Sequence, residues 1–298
     1  CTPERLSTIQ KDSRVVLSEA LAGIRPRGTT QAADQELLRD LFGSLKERNE
    51  NAITANFVKS VFSKLGQKGL LETNTLEAAP SALSWEESDG QPPDRSNSTD
   101  TCTDLSSNSS GYFVRRLRHL QHICQCFSAN LCTPSRKGDS AVVQVIRHLL
   151  SNLHPTPAVC GFPALPAMEF IRQHETVGFD RGYYAGPVGY IGRNAADILV
   201  AIRSGLVTRS SSALTSHSFD NFDVLDTDIS SKTKVSVYAG AGLVPGSTVQ
   251  GEWAETSYKL GVISSLFPQS PLTLQSSPTP NVAWASAFVE ELIRNGVT

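Results

Sequence analysis

The stretch "DILVAIRSGLV", residues 197–207, indicates what kind of fold this chain adopts. It is a run of β-branched and other apolar residues, which is typical of a buried strand. Comparable runs occur at 183–192, "YYAGPVGYIG", and at 234–244, "KVSVYAGAGLV". A fourth, "RVVLSEAL" at 14–21, is followed by the basic segment "AGIRPRG", whose glycines and proline predict a turn. The chain therefore contains at least one sheet.

Helices are predicted between these strands. Apolar residues recur at three- and four-residue steps from 35 to 65, which predicts one long helix. The segment "AVVQVIRHLLSNL", residues 141–153, is a second amphipathic pattern, and "GEWAETSYKL", residues 251–260, follows the last strand. Strands with helices inserted between them predict an α+β fold.

Composition divides the chain into segments. Residues 72–111 are dominated by Ser, Asp, Thr, Asn and Pro, so we expect a disordered insertion that cannot bury enough apolar surface to fold. It separates two parts of one domain, 1–71 and 112–266. A Pro- and Ser-rich linker is predicted at 267–280, and residues 281–298 show helical spacing that indicates the start of another domain.

Bulk properties exclude several classes of protein. The 298 residues are 39% apolar, which suits a soluble protein with a sizeable core, and the formal net charge is −2. A nucleic-acid-binding protein would need a basic surface, and no apolar run approaches the roughly 20 residues that cross a bilayer. The six cysteines contain no CxxC pair, so we expect free thiols and no structural zinc.

Two acidic pairs stand out. Glu252 and Glu255 lie three residues apart on the last predicted helix, and Glu47 and Glu50 have the same spacing on the long early helix. Either pair alone is typical of a solvated helix face, and Lys259 is placed for an ordinary ion pair with Glu255. Carboxylates from two separate helices can also converge on a hard cation such as Mg²⁺.

Two further charged residues need an explanation. Arg203 lies inside an apolar strand pattern, where a guanidinium needs a partner, either a group on a neighbouring strand or an anionic ligand. Glu4, in "CTPERL", would lie close to a backbone turn fixed by Pro3, and nothing in its local sequence excludes an ordinary surface acid.

In order along the chain, nine motifs resemble those of the chorismate-utilising enzymes. They are "TPERL", "ALAGIRPRG", "SLKERNEN", "LQHI", "LHPTPAVCGFP", "FDRGYYAGPVGY", "VAIRSGLV", "YAGAGLVPGS" and "EWAETSYKL". The resemblance covers about residues 1–266 outside the insertion, and "HPTPAVCGFP" is similar to the isochorismate synthase branch. Residues 281–298 resemble the start of the thiamine-diphosphate-dependent SEPHCHC synthase, as in PHYLLO-type fusion proteins of plants and algae.

The resemblance implies a fold and a set of residue roles. The fold would have large, mainly antiparallel sheets flanked by helices, truncated at its N-terminus. Glu4 would be the general acid that protonates the leaving C4 hydroxyl of chorismate, so we expect a raised pKa from burial and nearby acidic groups. Glu50 and Glu255 would bind Mg²⁺, supported by Glu47 and Glu252. The implied substrate-binding residues are Gly23, Ala158, Tyr184, Arg203, Gly240, Gly242 and Lys259.

The implied reaction is the Mg²⁺-dependent conversion of chorismate to isochorismate for phylloquinone, menaquinone or salicylate synthesis. Water attacks C2 of chorismate while hydroxide leaves C4, which needs a base on one side and an acid on the other. The fusion type implies a plastid location and a covalently attached SEPHCHC synthase-like domain, with no nucleic-acid or membrane partner.

Three departures from the family pattern keep alternatives open. The family's general-base lysine lies upstream of the general acid, so it is expected to be missing from this chain, which would leave the fragment alone inactive. Loss of the N-terminal strands would expose sheet edges and core surface, so we also expect the fragment to be only marginally folded. Ile24 replaces a common Thr, and Asn51 replaces a common His after Glu50. A salicylate or anthranilate synthase, or a non-catalytic module, remains possible from sequence.

Overall fold

The computed structural model describes residues 4–10, 14–72, 112–117, 119–132, 141–175, 181–209 and 233–264. The predicted insertion from residue 73 onward, the linker at 267–280 and the C-terminal helix at 281–298 lie outside the described residues.

The main element is a curled antiparallel sheet of seven strands. Its order is β3-β5-β2-β1-β7-β6, and β4 pairs with the same edge of β5 as β3 does. A separate two-stranded antiparallel sheet joins β8 to β9. The strands are β1 Arg5–Ile9, β2 Val15–Pro26, β3 Leu71–Glu72, β4 Phe113–Arg116, β5 Leu120–Leu131, β6 Pro187–Ile191, β7 Ala196–Val200, β8 Ser204–Arg209 and β9 Thr233–Tyr238.

Six helices accompany the sheets in the described part of the chain. They are α1 Gln31–Gly43, α2 Leu45–Gln67, α3 Ala141–Leu153, α4 Pro157–Cys160, α5 Ala164–Glu175 and α6 Val249–Ser264. With antiparallel sheets flanked by helices, the predicted α+β fold is confirmed.

The core lies between the large sheet and helices α2 and α3. Apolar side chains of α2, such as Val58 and Phe62, and of α3, such as Ile146 and Leu149, pack against one face of the sheet. The sheet contributes alternate residues to this face, including Val16, Ala20, Phe127, Ala129 and Leu131. This packing fixes α2 across β2 and β5, with its N-terminal turn at the edge of the core.

The predicted single strand at 197–207 is wrong. The chain leaves the large sheet after Val200 and enters the small sheet at Ser204. Arg203 lies at this break with a φ of 50°, a left-handed conformation that is uncommon for a residue other than glycine. The run at 183–192 is also shorter than predicted, because only Pro187–Ile191 pairs as a strand.

The turn predicted at "AGIRPRG" is instead a continuation of β2 to Pro26. Gly23 is the extra residue of a β-bulge, with a φ of 74° and a register shift between Ala22 and Ile24. The strand can therefore bend at Gly23 and still pair with β5 through Ile24, Arg25 and Pro26.

The predicted long helix at 35–65 is two helices joined at Ser44. Ser44 has an extended backbone, and its amide donates to the carbonyl of Asp40 at the end of α1. Its hydroxyl accepts from the amide of Glu47 at the start of α2, which makes Ser44 the N-cap of that helix. The serine followed three residues later by a glutamate is a sequence signal for this helix start.

Two further predictions concern the cysteines and membrane-spanning segments. Cys124, Cys126, Cys132 and Cys160 are free thiols, as expected, while Cys1 and Cys102 lie outside the described residues. None of the helices in the described ranges is long and apolar enough to cross a membrane.

Candidate active site

Arg203 is a buried guanidinium at the junction of the two sheets. Its Nη2 lies 3.1 Å from Nε2 of His122, and its Nε is buried without a hydrogen-bond partner. Burial lowers the pKa of Arg203 to about 10, so the group stays charged at neutral pH. Among the described residues no carboxylate forms an ion pair with it, which leaves Arg203 available to an anion.

His122, on β5, holds Arg203 in place and was not predicted as a site residue. Burial, and then the charge of Arg203, lower the pKa of His122 to about 3, so the imidazole is neutral. A guanidinium can only donate, so Nε2 of His122 accepts and Nδ1 donates to the carbonyl of Gly23 at 3.0 Å. A single buried histidine in the apolar run of "LQHI" was the available sequence signal.

Glu4 is buried at the start of β1, with 3% of its surface exposed. Burial, opposed by a hydrogen bond from Thr156 and helped by the charge of Glu19, raises its pKa to about 7. The expectation of a raised pKa is therefore confirmed. Thr156 Oγ1 donates to Glu4 Oε1 at 3.0 Å and was not predicted from sequence. Lys259 and Arg203 lie near enough to lower the pKa of Glu4 as well.

The structure brings the two acidic pairs together. Lys46 on α2 lies within ion-pair distance of both Glu252 and Glu255 on α6, so the start of α2 meets the acidic face of α6. Burial, and then the charges of Glu255 and Glu47, raise the pKa of Glu50 to about 8. Lys259 Nζ donates to Glu255 Oε1 at 2.6 Å, so the predicted ion pair within α6 is confirmed. The same ammonium donates to the carbonyl of Gly240 at 2.8 Å and ties α6 to the loop after β9.

Lys46, which sequence reasoning did not single out, lies between the pairs. Its Nζ is 2.5 Å from Glu252 Oε1 and 4.0 Å from Glu255 Oε2. Burial lowers the pKa of Lys46, but the hydrogen bond to Glu252 and the nearby glutamates outweigh it and raise the pKa overall. Glu47 has its own partner, because its Oε1 accepts from Arg25 at 3.0 Å.

The acidic centre fits a divalent cation of the magnesium type. Glu47 Oε2 and Glu252 Oε2 are both buried without a hydrogen-bond partner, which is costly unless a cation or water reaches them. In the described ranges no group of three or more His, Cys, Asp or Glu residues forms a ready metal cage. Mg²⁺ is commonly held by one or two carboxylates, and water and substrate oxygens complete its coordination. Unpartnered carboxylate oxygens without a full protein cage therefore fit this ion.

Three glycines predicted to bind substrate make close approaches to protein side chains. A Cβ at Gly242 would lie 2.8 Å from Glu50 Oε1, and a Cβ at Gly240 would lie 2.6 Å from the hydroxyl of Tyr184. A Cβ at Gly23 would lie 3.0 Å from Cβ of Glu47. These glycines let the carboxylates and the phenol lie directly against backbone.

Ala158 and Tyr184 each lie near one of these glycines. Ala158, on α4, lines a cavity that also reaches Glu50 and Gly242, with apolar walls from α5 and the loop after β9. Tyr184 lies in the turn before β6, stacked on Tyr238 at 6.1 Å between ring centroids. The structure therefore gathers all the predicted site residues around the junction of the sheets, α2 and α6.

Asn51 stands at the position where the resemblance implies a histidine. It is fully buried, and its Nδ2 donates to the carbonyls of Ala20 on β2 and Ile123 on β5, at 3.0 and 3.2 Å. It anchors the turn of α2 that carries Glu50. Ile24 lies in β2 beyond the bulge, paired with His122.

Comparison with known proteins gives consistent matches. The family described as "Chorismate binding enzyme" matches residues 1–76 and 96–217. The chloroplastic isochorismate synthase of Catharanthus roseus is 33% identical over 258 residues, 87% of this chain and 32% of that protein. Isochorismate synthase 2 of Arabidopsis thaliana, also chloroplastic, is 30% identical over 259 residues, 87% of this chain and 33% of that protein.

A solved structure agrees with these sequence matches. The menaquinone-specific isochorismate synthase MenF of Escherichia coli matches with a TM-score of 0.55 and 25% identity, over 89% of this chain and 44% of that one. The chain spans about a third of the length of the two plant relatives.

Proposed function

The chain belongs to the family of chorismate-binding enzymes, and we propose that it carries the active site of an isochorismate synthase. In this reaction water adds at C2 of chorismate and the C4 hydroxyl leaves. Two features of the same site support the proposal best. Glu4 is a carboxyl group with a pKa of about 7, and Arg203 is a buried guanidinium that forms no ion pair with a carboxylate among the described residues.

Glu4 has the properties that a general acid requires. A pKa of about 7 leaves a large fraction of the group protonated at neutral pH, so it can give a proton to the departing hydroxyl. Thr156 donates to Oε1 of Glu4, which leaves the other carboxyl oxygen as the one that carries the proton. Enclosure by β1 and α4 keeps bulk water from competing for that proton.

The cationic groups suit a dianionic substrate. Arg203 offers a planar fork to one carboxylate of chorismate, and Lys259 offers a point charge from α6. Tyr184 adds a hydroxyl beside Gly240. The small side chain of Ala158 leaves room in the cavity for the ring of the substrate. We assign no residue of the described part of the chain to the base that activates the water.

Glu50 and Glu255 would hold the magnesium ion, with Glu47 and Glu252 supporting it directly or through water. When bound, the ion supplies positive charge that neutralises a substrate carboxylate and stabilises charge developing in the conjugated ring. The residues of the chain position that carboxylate: α2 and α6 carry the acids, and the glycines after β9 let them approach the backbone.

Product analysis tests this proposal. Full-length protein incubated with chorismate and Mg²⁺ is expected to form isochorismate, detected by liquid chromatography. Glu4→Gln should abolish product formation, because an amide cannot donate the required proton, while chorismate binding measured by calorimetry persists. Salicylate as the direct product, or anthranilate formed with ammonia, would contradict the assignment.

A quinone pathway and a plastid location extend the proposal. The two plant relatives are named as chloroplastic, and MenF is described as menaquinone-specific. The resemblance of residues 281–298 to the start of SEPHCHC synthase supports the same branch, because that enzyme consumes isochorismate. Disruption of the gene should deplete phylloquinone or menaquinone. Loss of salicylate alone would favour the other branch.

A further inference from the structure

Lys46 occupies the centre of the acidic cluster. It extends from the first turn of α2 to α6, 206 residues away in sequence, and its Nζ contacts Glu252 Oε1 at 2.5 Å and Glu255 Oε2 at 4.0 Å. Lys259 occupies the other oxygen of Glu255. Lys46 is thus a cation in a place where carboxylates of two helices converge.

Glu252 depends on this lysine. Its Oε1 accepts from Lys46, and its Oε2 is buried without a hydrogen-bond partner. A divalent ion that drew Glu252 and Glu255 into its coordination shell would compete with the ammonium for the same oxygens. Two cations so close together repel strongly in a partly buried site, so Lys46 must move away when the metal binds.

Lys46 is not fully enclosed. Its side chain is 21% exposed, so part of it is in contact with solvent. An ammonium on a flexible four-carbon stem adapts to such a change more easily than a rigid guanidinium would.

We propose that Lys46 is a positioning residue that acts as an internal counter-cation for Glu252 and Glu255. Without metal it holds α6 against α2, and in the presence of a divalent ion it competes for these carboxylates and so sets the affinity for that ion. The inference rests on the proposed magnesium-dependent function of the same site.

Metal binding by charge-removing variants tests this role. Mn²⁺ binding is measured by electron paramagnetic resonance at fixed pH for the wild-type protein, Lys46→Met and Lys46→Gln. Removal of the competing charge is expected to tighten Mn²⁺ binding on the order of tenfold. Lys46→Gln keeps a donor for Glu252 and serves if Lys46→Met does not fold. Lys59→Met, on the exposed face of α2, is the matched control and should bind Mn²⁺ as the wild type does.

A thermal readout separates this role from a purely structural one. In EDTA the Lys46→Met protein should melt below the wild type, because Glu252 loses its partner, and Mg²⁺ should then raise its melting temperature by more than it raises that of the wild type. A purely structural lysine would lower both melting temperatures equally and leave the Mg²⁺-induced rise unchanged. Lys46→Arg keeps the charge and should bind Mn²⁺ no more tightly than the wild type, in contrast to the charge-removing variants.

The outcomes are distinct from those that test the proposed function. Equal or weaker Mn²⁺ binding by both charge-removing variants, with binding by the wild type intact, overturns the role of Lys46 alone. If wild type and variants bind no Mn²⁺, the magnesium part of the proposed function fails together with this inference. Formation of isochorismate tests the reaction itself by an independent measurement.

Discussion

At the residue scale, Glu4 couples the chemistry of the site to the stability of the fold. Its pKa rises from 4.5 to about 7 on folding, mainly through burial, so the folded protein binds this proton more tightly than the unfolded chain. The corresponding stabilisation is fully present below pH 4.5 and is lost as the pH rises to about 7. Stability should therefore fall between pH 5 and pH 8.

Glu4→Gln removes this pH dependence. The shift from 4.5 to about 7 corresponds to about 3 kcal/mol, so at pH 8 the variant should be more stable than the wild type by up to that amount. At pH 5 the two proteins should differ little. Urea unfolding at both pH values checks this, with the exposed Glu36→Gln on α1 as control. A wild-type slope in the Glu4→Gln protein would contradict the assigned pKa.

Gly242→Ala addresses the acidic centre without changing a charge. The new Cβ would lie 2.8 Å from Glu50 Oε1, so the carboxylate must move, at small cost to folding because it is the end of a flexible side chain. We expect Mg²⁺ affinity, measured by calorimetry, to fall on the order of tenfold for a displacement of this kind. Unchanged Mg²⁺ affinity would mean that metal binding does not depend on the position of the Glu50 carboxylate.

Gly261→Ala is the matched control for that substitution. Gly261 lies within α6, and a Cβ there would meet nothing within 4 Å. Replacing a helical glycine by alanine should stabilise the protein by up to about 1 kcal/mol. Metal affinity should stay at the wild-type value, so any loss seen at Gly242 is specific to that position.

At the scale of elements, α2 is the helix that links the core to the site. It packs apolar residues on the sheet through most of its length and carries Glu47 and Glu50 in its first turns. Asn51 ties this part of α2 to two strands, with hydrogen bonds to the carbonyls of Ala20 and Ile123. The helix is therefore fixed in both its rotation and its position along the sheet.

Asn51→Leu breaks that anchor. The two carbonyls lose their buried donor, so the free energy of unfolding should fall by about 2 kcal/mol. Asn56→Leu, on the exposed face of the same helix, should leave it within about 0.5 kcal/mol of the wild type. Denaturant unfolding of the three proteins distinguishes these outcomes, and a fully stable Asn51→Leu protein would show that the side chain is not an anchor.

Sequence periodicity predicted the existence of many elements but misplaced several of their boundaries, including those at Ser44 and Arg203. Ser44 separates α1 from α2 within a continuous apolar pattern. It is the C-cap of α1 and the N-cap of α2, and these capping hydrogen bonds outweigh the helical spacing of the apolar residues. The break at Arg203 has only a weak local signal, the Ser204–Gly205 dipeptide that follows it within an otherwise apolar run. It exists because the chain passes from one sheet to another, which is a property of the tertiary fold.

At the scale of the whole molecule, the site unites residues that are far apart in sequence. Thr156 and Glu4 lie 152 residues apart, and Lys46 and Glu252 lie 206 apart. No rule of sequence spacing predicts that such pairs meet. From residue types alone, a solvated surface was therefore the simpler interpretation for the glutamates. The ordered motifs predicted the shared location through family resemblance. They did not indicate His122, Thr156 or Lys46, whose roles follow from contacts within the folded protein.

The free edge of the large sheet predicts how the molecule behaves in solution. All five residues of β6 are exposed, including Val188, Tyr190 and Ile191, and within the described ranges its outer edge pairs with no further strand. An apolar edge with unpaired backbone groups favours pairing with another chain.

The 298-residue chain should therefore self-associate as its concentration rises, as measured by sedimentation velocity. Val188→Lys should suppress this association, because a charge on an edge strand opposes pairing, whereas Leu165→Lys on exposed α5 should not. Equal association of both variants would show that the edge of β6 is not the contact.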